Sequence, residues 1–148
     1  MKFTHFTDYS LRTLIYLGAQ QSTLVRISDV SKSYGISQSH LTKVVHQLAN
    51  RGYIQTTRGK GGGIRLARLP QLINIGDVVR DMEDNIDLVE CFNAKNQSCP
   101  LLHACILKSV LMEARKNFFD TLDRYTLADL LTNQSSLRKK LDLPENAH

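Results

Sequence analysis

Residues 27–41, Ile-Ser-Asp-Val-Ser-Lys-Ser-Tyr-Gly-Ile-Ser-Gln-Ser-His-Leu, set one glycine between two short helical patterns. This spacing predicts a helix over about Ser28–Tyr34. Gly35 ends it in the left-handed conformation, Ile36 fills the space between the helices, and Ser37 caps a second helix that continues to about Asn50. Leu41, Val44, Val45 and Leu48 recur at helical spacing and face a core. Ser39, His40, Thr42, Lys43, His46 and Gln47 fall wholly or partly outside that stripe. They are donors and acceptors of the size that reads base edges and phosphates in a major groove. A plain helical hairpin with a polar outer face would share the pattern, so the helix-turn-helix reading leans on the residues next in the chain.

Those residues predict a β-hairpin. Ile54 begins one strand, Ile64-Arg65-Leu66-Ala67 forms the next, and Thr57-Arg58-Gly59-Lys60-Gly61-Gly62-Gly63 joins them. A hairpin directly after a helix-turn-helix makes a wing. Its glycines let the backbone approach closely, and an arginine on a slender loop fits a narrow minor groove. A phosphate-binding loop is excluded, because no Lys-Ser/Thr pair follows the glycines. The candidate DNA surface is therefore Ser37, Gln38, Ser39, His40, Thr42, Lys43, Gln47, Arg58, Lys60, Gly61 and Gly62. Gln38, Ser39 and His40 would read bases; Lys43, Arg58 and Lys60 would hold phosphates.

Charge supports that assignment. Residues 1–80 carry eleven Lys and Arg against three Asp and Glu, whereas residues 81–148 carry eight against eleven. A basic front half and an acidic back half suggest that only the front meets a polyanion.

The back half holds all three cysteines, Cys91, Cys99 and Cys105, within fifteen residues. An odd number cannot close into internal disulfides, and Asn93, Lys95, Asn96, Gln97 and Ser98 make a poor core segment. Soft thiolates on a polar loop suit zinc or an iron–sulfur cluster. Three ligands satisfy neither, so a fourth must come from elsewhere. A thiol redox switch is the alternative use. Tight Cys-x2-Cys pairs, usual for zinc, are absent. The acidic approach, Asp81, Glu83, Asp84, Asp87 and Glu90, reads as a solvated face, with Glu90 a weak further ligand.

The remaining elements are set by periodicity. A first helix is expected over Phe6–Gln21, with Leu11, Leu14, Ile15 and Gly18 on one face, Thr4 or Thr7 as cap, and Asp8 in its first turn, where an acid compensates the helix dipole. Asn74 caps a short helix bearing Ile75, Val78, Val79 and Met82. A long helix is expected from Pro100 or Leu101 to about Tyr125, with Leu107, Leu111, Ala114, Phe118, Leu122 and Tyr125 as its stripe. That length exceeds what one winged domain needs and suggests packing against a second subunit. Thr126–Leu131 reads as a capped short helix, and the polar stretch from Arg138 as a loose tail.

The fold expected is mainly α with a small β-hairpin wing, a winged helix-turn-helix plus a long dimerisation helix. Residues 1–84 form the DNA-binding domain, 85–105 the cysteine loop, 106–132 the dimerisation helix and a short helix, and 133–148 a flexible tail. No apolar run is long enough to span a membrane, and the N-terminus lacks the apolar core of an export signal. With unpaired thiols, this points to the cytoplasm.

From Phe6 to Leu131 the chain resembles the iron–sulfur winged-helix repressors, above all their nitric-oxide-sensing members. The resemblance rests on Phe6-Thr7-Asp8-Tyr9-Ser10-Leu11-Arg12, Tyr34-Gly35-Ile36-Ser37, Arg58-Gly59-Lys60-Gly61-Gly62-Gly63-Ile64-Arg65-Leu66, Ile75-Gly76-Asp77-Val78-Val79-Arg80, the three cysteines, and Tyr125-Thr126-Leu127-Ala128-Asp129-Leu130. It implies a homodimer on a pseudo-palindromic operator, with one cluster per subunit. Cys91, Cys99 and Cys105 would be its ligands, with Asp8 of the partner subunit as the fourth. One oxygen and three sulfurs suit a 4Fe–4S centre; a 2Fe–2S centre is the alternative. A cluster-assembly branch of the family uses a histidine three positions after its last cysteine. Lys108 stands there, which favours the nitric-oxide sensors over the cluster-assembly branch; a cluster-assembly, iron- or redox-sensing regulator of the same fold is the alternative. An enzyme with a cysteine nucleophile would need a nearby base, and only His103 is close in sequence.

Overall fold

A computed structural model describes residues 1–21 and 23–144. Six α-helices and one two-stranded hairpin run in the order α1 (His5–Gln20), α2 (Ile27–Tyr34), α3 (Gln38–Asn50), β1 (Ile54–Thr57), β2 (Gly63–Leu66), α4 (Ile75–Met82), α5 (Ile106–Asp123) and α6 (Gln134–Lys140). Short 3-10 turns lie at Pro70–Leu72, Glu90–Phe92 and Leu127–Leu131.

The central helix is α1. Thr4 caps it, its hydroxyl accepting from the Thr7 amide at 3.3 Å. It buries Leu14, Leu17 and Ala19 together with three polar side chains, Thr7, Ser10 and Thr13. Each of those hydroxyls has an acceptor: Ser10 donates to the Phe6 carbonyl at 2.7 Å, Thr13 to that of Tyr9 at 2.7 Å, and Thr7 to Glu83 at 2.5 Å. Burial without such partners would cost the desolvation of each group. Around α1 the core gathers Val30 of α2, Leu41, Val44 and Leu48 of α3, Ile54 and Ile64 of the hairpin, and Ile75, Val78 and Met82 of α4.

β1 and β2 pair antiparallel, Ile54 opposite Leu66 and Thr57 opposite Gly63. Val25, in the connection between α1 and α2, adds an isolated bridge to β2. Its amide donates to Ile64 O at 2.9 Å and Ile64 N returns to Val25 O at 2.7 Å. That single-residue pairing has no periodicity to betray it, and it anchors the wing to the start of the helix-turn-helix.

Two expectations are corrected. The long helix begins at Ile106, not at Pro100 or Leu101, and ends at Asp123. Residues 100–104 turn instead, and the Cys105 thiol takes the cap position, accepting from the Lys108 amide at 3.3 Å. At eighteen residues α5 is about 27 Å long. Its buried anchor is Phe119, one position beyond the expected Phe118, which is half-buried and meets Phe3 edge-on at 6.0 Å. The second correction is the tail. Gln134–Lys140 is helical and Leu141 is buried in the core; residues 145–148 of the expected flexible tail lie outside the described residues. No helix among the described residues is long and apolar enough to cross a membrane.

Candidate functional site

The turn between α2 and α3 forms as its residues dictate. Gly35 sits at φ 67°, ψ 34°, and the Ile36 amide donates to Ser31 O at 3.1 Å. Ile36 is buried beneath the turn. Ser37 then caps α3, its Oγ accepting from the His40 amide at 3.1 Å. With Leu41, Val44, Val45 and Leu48 facing inward, Ser37, Gln38, Ser39, Thr42, Lys43 and His46 are left exposed on one surface. Gln47 is half-buried. So is His40, whose ring stands edge-on to Tyr9 of α1 at 5.0 Å. The structure thus gives His40 a packing contact in addition to its place at the start of the helix.

The wing brings Arg58, Lys60 and Gly61 into the open. Gly59 and Gly61 have φ values of 90° and 77°, in the region that favours glycine. Gly62 is required for a different reason: a Cβ there would lie 2.1 Å from the Thr57 carbonyl oxygen. The glycines therefore shape the loop itself. Sequence reasoning passed over Arg65, whose side chain is exposed on β2 and bonds to Gln55 Oε1 at 3.3 Å.

The cysteine loop runs from the end of α4 to the start of α5. Arg115 of α5 seats it, stacking over the Phe92 ring at 4.5 Å and pairing with Asp87 at 3.0 Å. Within the loop, Gln97 donates to Asn93 O at 2.6 Å and Asn93 Oδ1 accepts from the Lys95 amide at 2.9 Å. Cys91 and Cys105 are half-buried and Cys99 is exposed; all three are free thiols. Among the described residues, no three His, Cys, Asp or Glu side chains converge as a metal-holding group.

Asp8 lies in the first turn of α1 and pairs with Arg12 one turn later, at 2.8 Å, with 40% of its side chain exposed. Three free soft donors on one short loop match thiolate coordination of iron. The Asp8 carboxylate is partly exposed, with both oxygens on Arg12, Nε to Oδ1 at 3.1 Å and Nη2 to Oδ2 at 2.8 Å. The donor set therefore fits the expected group, provided that the fourth ligand comes from outside the chain.

The chain is similar to known transcriptional regulators. A Bacillus licheniformis protein named HTH-type transcriptional regulator NsrR is 51% identical over 142 residues, covering 95% of this chain and 99% of the relative. The protein of the same name from Bacillus subtilis strain 168 is 47% identical over 146 residues, covering 98% and 100%. The solved structure titled T. potens IscR superposes with a TM-score of 0.72 at 25% identity, over 90% of this chain and 88% of that one. The family profile described as Rrf2, iron-dependent transcriptional regulator, matches residues 3–133. With its winged helix-turn-helix and near full-length relatives, the chain belongs to the Rrf2 family of transcriptional regulators.

Proposed function

We propose that this protein is a cytoplasmic homodimeric repressor whose DNA affinity depends on an iron–sulfur cluster and falls in response to nitric oxide. The observation that carries the reading is mechanical. The three thiols sit on a loop fixed to α5 by Arg115, and α5 is fixed in turn to the winged domain by Arg80 and Asp123. What happens at the loop is thereby tied to the body that presents α3.

Cys91, Cys99 and Cys105 would supply thiolates and Asp8 of the partner subunit a carboxylate. When bound, the cluster would supply iron that can react with nitric oxide. The donor set suits a 4Fe–4S centre. The α5 face bearing Ile106, Leu107 and Val110 is exposed and would meet the second subunit, since large exposed apolar faces mark interfaces. Engagement of Asp8 across the dimer fixes the first helix of one subunit to the cysteine loop of the other. It thereby holds the two recognition helices near one DNA turn apart, about 34 Å. Release of Asp8 relaxes that spacing. A ten-fold loss of operator affinity needs only about 1.4 kcal/mol of coupling.

On the DNA, Lys43, Arg58 and Lys60 hold phosphates and give the salt dependence. Gln38 and Ser39 meet base edges at the exposed start of α3. No catalytic group takes part. The relatives' printed name, shared at 51% identity, favours nitric oxide, and Lys108 in place of a histidine ligand speaks against the cluster-assembly branch. The test is a titration of nitric oxide into anaerobic, iron-loaded dimer on operator DNA. Binding that survives full reaction of the iron would reject the sensor role.

A further inference from the structure

The C-terminal segment makes contacts that DNA binding, cluster ligation and dimerisation leave unexplained. Arg138 Nη1 and Gln134 Nε2, both on α6, donate to the same carbonyl, Ala19 O, at 2.5 and 3.2 Å. That carbonyl lies in the last turn of α1, which contains no basic residue and ends at Gln21 with φ 60°, ψ −155°. Side chains from α6 thus satisfy a carbonyl at the end of α1. At its other end, α6 leads into Leu141, which is 8% exposed. The Leu141 carbonyl accepts from Ser33 Oγ of α2 at 3.1 Å.

α2 needs such help. It has eight residues, no side-chain N-cap and one buried residue, Val30. Its last turn is held from two sides, by Tyr34 Oη donating to Arg12 O at 2.8 Å and by Ser33 to Leu141 O. Three residues, Gly35–Ser37, separate it from α3 and the two helices pack together, so α2 is one of the supports that orient the recognition helix.

We propose that Gln134–Leu143 is a positioning brace for DNA recognition, spanning the end of α1 and the end of α2 and fixing the angle at which α3 is offered to the major groove. The inference rests on the proposed DNA-binding role. The brace acts through α2 and touches no DNA.

The experiment compares full-length Ser33→Ala, Arg138→Ala and Arg138→Lys with wild type. Each is measured on a duplex that the wild-type dimer selects from a random pool and on a scrambled duplex of equal length. Ser33→Ala and Arg138→Ala should each weaken binding to the selected duplex about five-fold and leave the scrambled one unchanged. Arg138→Lys, which keeps a donor within reach of Ala19 O, should recover most of the loss. The salt slope of Arg138→Ala should stay at the wild-type value. A slope lowered by about one unit would make Arg138 a phosphate contact and overturn the brace. A lowered melting temperature with unchanged affinity at 25 °C would also overturn it, as would equal losses on both duplexes. Amide hydrogen exchange gives a reading independent of DNA. Exchange should quicken over residues 27–34 in Arg138→Ala and hold constant over α4. Should wild type select no duplex, the DNA-binding reading fails, and unchanged protection of α2 would then reject the brace separately.

Discussion

Arg80 of α4 and Asp123 at the end of α5 meet as a two-pronged pair, Nη1 to Oδ1 at 2.7 Å and Nη2 to Oδ2 at 2.8 Å. The same guanidinium lies over the Phe119 ring at 4.5 Å. Asn74 Nδ2 adds a bond to the Asp123 carbonyl at 2.7 Å, and Ile75 N donates to Tyr125 O at 3.0 Å. This junction is where the helix that follows the cysteine loop joins the DNA-binding body. Its strength decides whether the two move together.

The pair has a pH signature. Its hydrogen bonds to Arg80 hold the Asp123 carboxyl below its ordinary value of 3.8. A carboxyl depressed in the native state stabilises the fold above its unfolded value, and that contribution is lost as pH falls through the native value. The stability difference between wild type and Asp123→Asn should therefore be constant from neutral pH down to about pH 5, and should shrink below about pH 4. Urea unfolding at several pH values measures it. A gap that widened in acid would contradict the assignment. Gly76→Ala should break the same junction from the other side, since its Cβ would stand 1.8 Å from Asp123 Oδ1.

Gly62→Ala separates wing from core. The new methyl would meet the Thr57 carbonyl oxygen at 2.1 Å, and backbone cannot give way as a flexible side chain can. The loop must reopen, and Arg58 and Lys60 move with it. The core is untouched, so unfolding should shift by about 1 kcal/mol or less beyond local strain. Operator affinity should drop about ten-fold, the scale of losing one or two charged contacts. Fluorescence anisotropy on operator DNA, paired with denaturant melts, checks both halves of the expectation.

What the sequence disclosed was local. The Gly35 turn, the Ser37 cap and the capped turn at Thr126 depend on neighbours within five residues, and all form as read. What escaped was distant. The tail looked polar and loose because its partners, Ala19 O and Ser33 Oγ, lie more than a hundred residues away. The start of α5 was misplaced because Pro100 is a good first helical residue, whereas residues 100–104 turn and a thiol serves as cap. At the site, clustering of the cysteines was plain from spacing. The ring contact of His40 with Tyr9 was not legible, because Tyr9 comes from another helix.

The recognition surface makes two separable predictions. Lys43 is exposed on α3 and forms no ion pair among the described residues. Lys43→Ala should weaken every duplex alike and lower the salt slope by about one unit. Gln38→Ala removes a side chain able to pair with a base edge. It should cost about 1–3 kcal/mol on the selected operator, relax preference at one position of each half-site, and leave the salt slope alone. Affinity selection repeated with each variant tells them apart. A Gln38→Ala dimer with unaltered sequence preference would remove that residue from base reading.

Asp8 and the thiols divide the sensor differently. Cys99 is exposed and free, so Cys99→Ser should leave the fold and melting behaviour intact while iron content falls to background. The nitric-oxide response should vanish with the iron. Asp8→Ala is the informative variant. In the single chain Asp8 is joined to Arg12 at 2.8 Å, on a pair whose side chains are both over a third exposed. Losing a pair of that kind costs little, about 0–1 kcal/mol. The isolated fold should therefore tolerate the change, and three thiolates should still retain iron, though with weaker hold. What should shrink is the difference in operator affinity between iron-loaded and iron-free dimer, from ten-fold or more to about two-fold. Iron assay, anaerobic anisotropy and a melt on one preparation measure all three. If Asp8→Ala keeps the full difference, the carboxylate carries no coupling, and the link between cysteine loop and recognition helix must run through α5 and the Arg80–Asp123 junction alone.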